Sequence, residues 1–245
     1  MEKILGVIPA RFASTRFQGK PLVDILGKPM IQHVWERSIQ SKKVHEWIVA
    51  TDNIDIFNTV NGFGGRSIMT SENLFSGTDR CKETLDLLGN SYDFVINVQG
   101  DEPLVETEQI DSLVQSIVNS PGADVSTLVK LNNNWDDFQN PNRVKCIRNI
   151  GGDALYFSRS PIPFGCTKET FNGFWKHLGM YAYSSYFLND LDNLENSDLE
   201  VMESLEQLKW INNGKRIITI ETKYETPSVD TPSDLLEIIK RLRGI

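Results

Sequence analysis

The sequence predicts an α/β fold: a mostly parallel sheet with helices flanking it. Short runs of consecutive apolar residues alternate along the chain with amphipathic stretches. The runs are apolar at nearly every position, not at every second one, which marks strands covered on both faces. Strand–helix–strand repetition also supplies the crossovers that parallel pairing requires. A length of 245 residues suits one such domain, or one with a small subdomain.

Taken in order, residues 4–8 read as a strand that runs into Pro9. Residues 30–40 read as a helix, with Ile31, Val34, Trp35 and Ile39 near helical spacing. Residues 47–52 form a second strand ending in a turn. A helix over 54–63 is closed by Gly64-Gly65, a short strand covers 67–70, a helix 79–88, and a third long strand 94–98. The second half is more mixed, with strands over 124–130, 144–148 and 154–158, and a fourth at Tyr181-Ala182-Tyr183. A helix is expected over 199–212, a late strand over 217–221 and a final helix over 233–243. Thr231 and Pro232 are the N-cap and first position of that last helix. Internal repeats, low-complexity tracts and an obvious linker are absent from the sequence. The expected organisation is one domain, with a first part over about 1–120, a second over about 121–225 and a closing segment over 226–245.

Composition narrows the function classes. A net charge of −8 argues against a broad nucleic-acid or anionic-membrane footprint. Cys81, Cys146 and Cys166 are odd in number and widely spaced, as expected of reduced thiols in a cytoplasmic protein. The chain enters a strand-like run by Ile4, which leaves no room for a signal peptide, and no apolar run approaches a membrane span. The expectation is a soluble, cytoplasmic protein.

Parallel sheets bind ligands beyond the carboxyl ends of their strands, and two such ends carry suggestive chemistry. After the first strand come Ala10-Arg11 and a loop with Ser14, Arg16 and Lys20 among small residues, a pattern suited to a polyphosphate. After the third long strand comes Gln99-Gly100-Asp101-Glu102-Pro103. There Gly100 permits close backbone approach, and Asp101 is a hard oxygen ligand suited to Mg²⁺. A plain turn capped by Asp101 explains the same residues. Ser76-Gly77-Thr78-Asp79-Arg80 offers hydroxyl and N–H donors, and reads equally well as a helix cap. In the second half, Arg159 suits a carboxylate, and His177, Glu206 and Gln207 suit hydroxyls. Each also has a purely structural reading. The histidines lie far apart, and neither a zinc pattern nor a GxSxG element occurs.

Together these segments resemble the 3-deoxy-manno-octulosonate (Kdo) cytidylyltransferases. The resemblance runs in order from residues 8–22 and 27–31 through 49–52, 76–80 and 97–103. It continues at 154–163, 177–181, 205–208 and 229–232, essentially the whole chain. It implies a Rossmann-like nucleotidyltransferase fold whose smaller second portion binds the sugar and forms a homodimer. The implied substrates are CTP and Kdo, the products CMP-Kdo and pyrophosphate, for lipopolysaccharide or capsule synthesis, with Mg²⁺ as cofactor. By the same resemblance Arg11 and Lys20 hold the triphosphate and act in catalysis with Asp101. Ala10, Ser14, Ser76, Gly77, Thr78, Arg80 and Gln99 frame the nucleotide. Asp101 and Asp230 ligate the metal, and Arg159, His177, Tyr181, Glu206 and Gln207 line the sugar pocket. The chain departs from the family at Gln18, often proline there, and at Leu74-Phe75, where a histidine two residues before the serine is common. Residues 166–174 align to no role. A related 2-keto-3-deoxy sugar acid such as 8-amino-Kdo or a nonulosonate is an alternative acceptor. A sugar-1-phosphate nucleotidyltransferase is a further alternative, disfavoured by the Pro-Ala-Arg loop.

Overall fold

A computed structural model describes residues 2–13, 17–89 and 91–244. The chain divides into two compact units: Met1–Val114 with Thr226–Ile245, and Gln115–Glu225.

In the first unit, strand β1 (Ile4–Ala10) is followed by a small antiparallel hairpin, β2 (Asp24–Ile25) and β3 (Lys28–Pro29). Helix α1 (Met30–Ser38), β4 (Glu46–Thr51), α2 (Ile54–Gly62), β5 (Ser67–Met69), α3 (Gly77–Leu87) and β6 (Phe94–Asn97) follow. Every pairing among β6, β1, β4 and β5, in that order, is parallel. All seven residues of β1 are buried, as a central strand covered on both faces requires. Helix α1 buries Met30, Ile31 and Val34, one apolar stripe of its surface. Packing also dictates Gly6, because a Cβ there would lie 2.2 Å from the Trp47 ring on β4. Helix α4 (Thr107–Val118), which the sequence reading did not identify, carries the chain across the boundary between the units.

The second unit contains β7 (Val125–Asn132), α5 (Trp135–Gln139), β8 (Lys145–Arg148), β9 (Ala154–Ser158) and β10 (Phe174–Ser184). It continues with α6 (Ser185–Asp190), α7 (Asp198–Glu203), α8 (Gln207–Asn212) and β11 (Ile217–Glu221). Pairing here is mixed: β10 is antiparallel to β7 and β8, β8 to β9, and β11 is parallel to β7. Tyr181, Tyr183, Phe187 and Trp210 pack ring against ring in its core. Strand β10 is far longer than the three residues expected from sequence.

The helix expected over 199–212 is two helices. Ser204 ends α7 in the left-handed region at φ 51°, and the chain restarts at Gln207. The physical cause is Arg159, which collects carbonyls that a continuous helix would bond internally. Its Nε donates to Glu203 O at 2.8 Å and its Nη2 to Ser204 O at 3.2 Å.

Helix α9 (Pro232–Arg243) returns the chain to the first unit. Thr231 and Asp234 form a reciprocal capping box, with Pro232 in the first turn. Ile238 packs with Ile25, Met30 and Val229, and this cluster ties the segment before α9 to the hairpin after β1. All three cysteines are free thiols. Among the described residues, no helix is long and apolar enough to cross a membrane.

Candidate active site

In the first unit the carboxyl ends of β1 and β6 open into a cavity of about 230 Å³. Ala10 and exposed Arg11 form one wall, where β1 ends. Ser76, Gly77 and Arg80 of α3 form another, and Gln99, Asp101 and Lys20 with Asp230 complete the lining. Thr78 is fully buried in α3. Ser14 and Arg16 lie outside the described residues.

Three segments distant in sequence meet at Lys20. Gly19 donates its N–H to Phe12 O at 3.0 Å, which closes the loop after β1 and delivers Lys20 at its end. The Lys20 ammonium donates to the Asp101 carboxylate, to Asp230 Oδ1 at 3.3 Å and to Val229 O at 3.2 Å. The backbone N–H of Val229 donates to Asp101 O at 2.9 Å, joining the segment before α9 to the loop after β6. The sequence alone could not bring Asp230 to Asp101; the fold sets both on one cation. Two carboxylates on one point are a hard-oxygen donor set that suits Mg²⁺, which binds through one or two carboxylates plus phosphate oxygens. Among the described residues no cluster of three or more His, Cys, Asp or Glu forms an all-protein cage.

Gly100 has a plainer reason than ligand approach. Its N–H donates to Pro9 O at 3.2 Å, and a Cβ would sit 2.7 Å from that oxygen. What comes close is the neighbouring strand.

Arg80 is held by the protein. Its guanidinium is buried, pairs with Asp52 Oδ2 at 3.0 Å and donates to Thr70 Oγ1. The other Asp52 oxygen accepts the Phe12 N–H at 3.3 Å. Asp52 therefore joins the start of the loop after β1 to the α3 wall. The sequence reading assigned it no role, although it follows a strand end as Asp101 does. Ser76 caps α3 by accepting the Asp79 N–H at 3.0 Å, and Asp79 accepts from Ser76 N in return. This leaves the positive end of α3 on the cavity wall. Gln99 is oriented by donating to Asn97 Oδ1 at 3.1 Å.

Arg159, His177, Tyr181, Glu206 and Gln207 all lie in the second unit. Backbone N–H of Arg159 and Ser158 Oγ both donate to the Glu203 carboxylate, at 2.8 and 2.6 Å. With the Arg159 bonds to Glu203 O and Ser204 O, this fixes the α7–α8 turn that presents Glu206 and Gln207. Glu203 is thus a positioning residue that sequence reasoning passed over. In the same unit, β7 and β10 slip register between Leu178 and Tyr181. Thr127 fills that irregularity: its hydroxyl donates to Met180 O at 2.9 Å and lies 3.0 Å from His177 Nε2. With the hydroxyl proton committed to Met180, His177 Nε2–H is the donor to Thr127 Oγ1, and Nδ1 is an acceptor. Burial pushes the imidazole down to about 3, so it stays neutral at physiological pH. Its ring lies 4.8 Å from Phe157 and 5.6 Å from Tyr181. Tyr181 is itself buried in the aromatic core.

The cytidylyltransferase family model matches residues 5–217. A 3-deoxy-manno-octulosonate cytidylyltransferase from Parabacteroides distasonis is 45% identical over 245 aligned residues, covering 96% of each chain. A CMP:2-keto-3-deoxy-manno-octonic acid synthetase solved with CTP superposes with a TM-score of 0.94 at 42% identity, covering 99% of both chains. A glucose-1-phosphate thymidylyltransferase structure from Bacillus anthracis shares the fold alone, with a TM-score of 0.71 at 16% identity over 99% of this chain and 96% of that one. This chain is a member of the cytidylyltransferase family and, within it, of the 3-deoxy-manno-octulosonate cytidylyltransferases, enzymes of the nucleotidyltransferase type.

Proposed function

We propose that the enzyme transfers CMP from CTP to the anomeric hydroxyl of Kdo, releasing pyrophosphate. The observation that carries this reading is the convergence of Lys20, Asp101 and Asp230 on the wall of the first-unit cavity. Arg11, Lys20 and the positive end of α3 supply cationic and dipolar groups for a triphosphate. Asp101 and Asp230 hold Mg²⁺, which neutralises phosphate charge when bound. Gln99, Ser76 and Gly77 frame the nucleotide, with Arg80 held in the wall behind them. In the second unit, Arg159 faces the sugar carboxylate, and neutral His177 accepts a sugar hydroxyl at Nδ1. Tyr181, Glu206 and Gln207 complete the acceptor pocket.

The chemistry follows from charge. The oxygen of the sugar hydroxyl attacks the α-phosphorus and its proton passes to solvent, while the bond to the β-phosphate oxygen breaks and pyrophosphate leaves. The attacked triphosphate and the leaving pyrophosphate are both anionic, so the residues act by alignment and by neutralising charge. No covalent enzyme intermediate is needed. We read the protein as a cytoplasmic homodimer. The exposed apolar side chains Ile150, Leu155 and Phe164 support an interface formed by the second half.

The test is pyrophosphate release with CTP, ATP, UTP and GTP against a panel of sugar acids. CTP with Kdo is expected to give the highest kcat/KM. Release without any sugar acid contradicts the reading. Asp101→Asn is expected to keep a native circular dichroism spectrum and lose turnover, and a wild-type rate at saturating Mg²⁺ contradicts the metal assignment.

A further inference from the structure

Asp101 and Asp230 need a counter-charge before any nucleotide arrives, and the structure supplies one. An ammonium has three N–H donors, and Lys20 has three acceptors: Asp101, Asp230 at 3.3 Å and Val229 O at 3.2 Å. The Lys20 side chain is only 13% exposed, against 24% for Asp101 and 35% for Asp230. Partial withdrawal from water makes these pairs stronger than ordinary surface pairs. The arrangement is also built from both sides. The Gly19–Phe12 bond and the 3₁₀ turn Lys20–Leu22 fix the lysine backbone, and the Val229–Asp101 bond fixes the acceptors.

We propose that Lys20 is a displaceable counter-ion that reserves the Asp101–Asp230 pair for a metal ion arriving with a triphosphate. The site thereby selects the metal–nucleotide complex over the free metal ion. This inference rests on the reading of Asp101 and Asp230 as metal ligands. A divalent ion arriving alone must strip the ammonium of its carboxylates and leave it stranded beside a dication. A triphosphate in the same cavity reverses the balance, because it gives Lys20 new anionic partners as the metal takes the old ones. The flexible four-carbon stem of lysine allows the transfer with no backbone movement. Nucleotide and metal therefore assist each other's binding, reciprocally, through Lys20.

The test uses Mn²⁺ as the probe and counts free ion by electron paramagnetic resonance, with full-length protein and no nucleotide. Lys20→Met and Lys20→Gln, checked for native circular dichroism, are expected to bind Mn²⁺ about tenfold tighter than wild type, the scale of one charge-assisted partner. Equal or weaker binding by both variants overturns the proposal, as does undetectable binding to all three proteins. Asp101→Asn with a non-hydrolysable CTP analogue separates the two readings. If Asp101→Asn abolishes Mn²⁺ binding to the nucleotide complex while the Lys20 variants match wild type, the counter-ion role fails and the metal ligands stand. Undiminished binding by Asp101→Asn overturns the metal reading itself.

Discussion

At the scale of single residues, the pair formed by Asp52 and Arg80 links stability to the site. Its side chains are 11% and 3% exposed, so each charge depends on the other. Removing one partner from such a pair strands the other and costs about 3–5 kcal/mol, whereas removing both charges together costs far less. Asp52→Ala is accordingly expected to lower the melting temperature and, by releasing the Phe12 N–H, to raise KM for CTP. Asp52→Ala combined with Arg80→Met, which removes both charges but still leaves the Phe12 N–H without this acceptor, is expected to restore most of the melting temperature while KM for CTP stays high. Calorimetry beside steady-state kinetics checks both. Recovery of KM together with stability means that the pair is structural only.

At the scale of elements, the break between α7 and α8 is the instructive case. Residues 199–212 have enough helical periodicity to read as one helix. Ser204 is the stopping point, and serine is a weak stop signal. The force that holds it comes from Arg159 and Glu203, which act through bonds to β9 and to the turn itself. A β-branched residue is poorly tolerated at φ 51°. Ser204→Val therefore adds backbone strain beyond what serine already bears there. It is expected to raise KM for the sugar acid severalfold with KM for CTP unchanged, because Glu206 and Gln207 follow directly. A parallel rise in both constants argues against that division of labour. Helix α9 is the contrasting case: its start at Thr231-Pro232 is plain from local sequence, because a cap is satisfied within one turn.

At the scale of the whole molecule, acid sensitivity is written into the second unit. Lys130 and Lys176 stand directly opposite each other on β7 and β10. Like charges in that register repel, and Glu225 offsets this by pairing with both. Burial alone would raise the Glu225 carboxyl, but the hydrogen bonds from Lys176 and Lys130 outweigh it and hold the group at about 2. His177 is held neutral down to about 3, whereas in the unfolded chain an imidazole titrates near 6.5. In both cases the unfolded chain binds more protons than the folded one. Stability is therefore expected to fall with pH, first as the unfolded imidazole protonates below about 6.5, then as unfolded carboxylates protonate below about 4.3, until the folded groups themselves titrate. Urea unfolding between about pH 7 and pH 2.5 measures the slope across both windows. His177→Gln is expected to flatten its upper part and Glu225→Gln its lower part, the latter also lowering stability at pH 7 by leaving two lysines face to face. Unchanged slopes in both variants contradict this account.

Local chemistry alone marked the strand ends that carry Arg11 and Asp101, the caps at Ser76 and Thr231, and the alternation that makes a parallel α/β unit. Those features depend on neighbours within a few residues, and periodicity and capping record such neighbours directly. The order of motifs likewise pointed to the family. What lay beyond the sequence is whatever joins residues far apart in the chain. Lys20 sits on Asp101 and Asp230 because β1, β6 and the segment before α9 converge, and the core around Ile238 and Val229 holds that convergence. Asp52 reaches Arg80, and Arg159 breaks a helix more than forty residues away, for the same reason: a charged side chain takes the partners that the fold puts beside it.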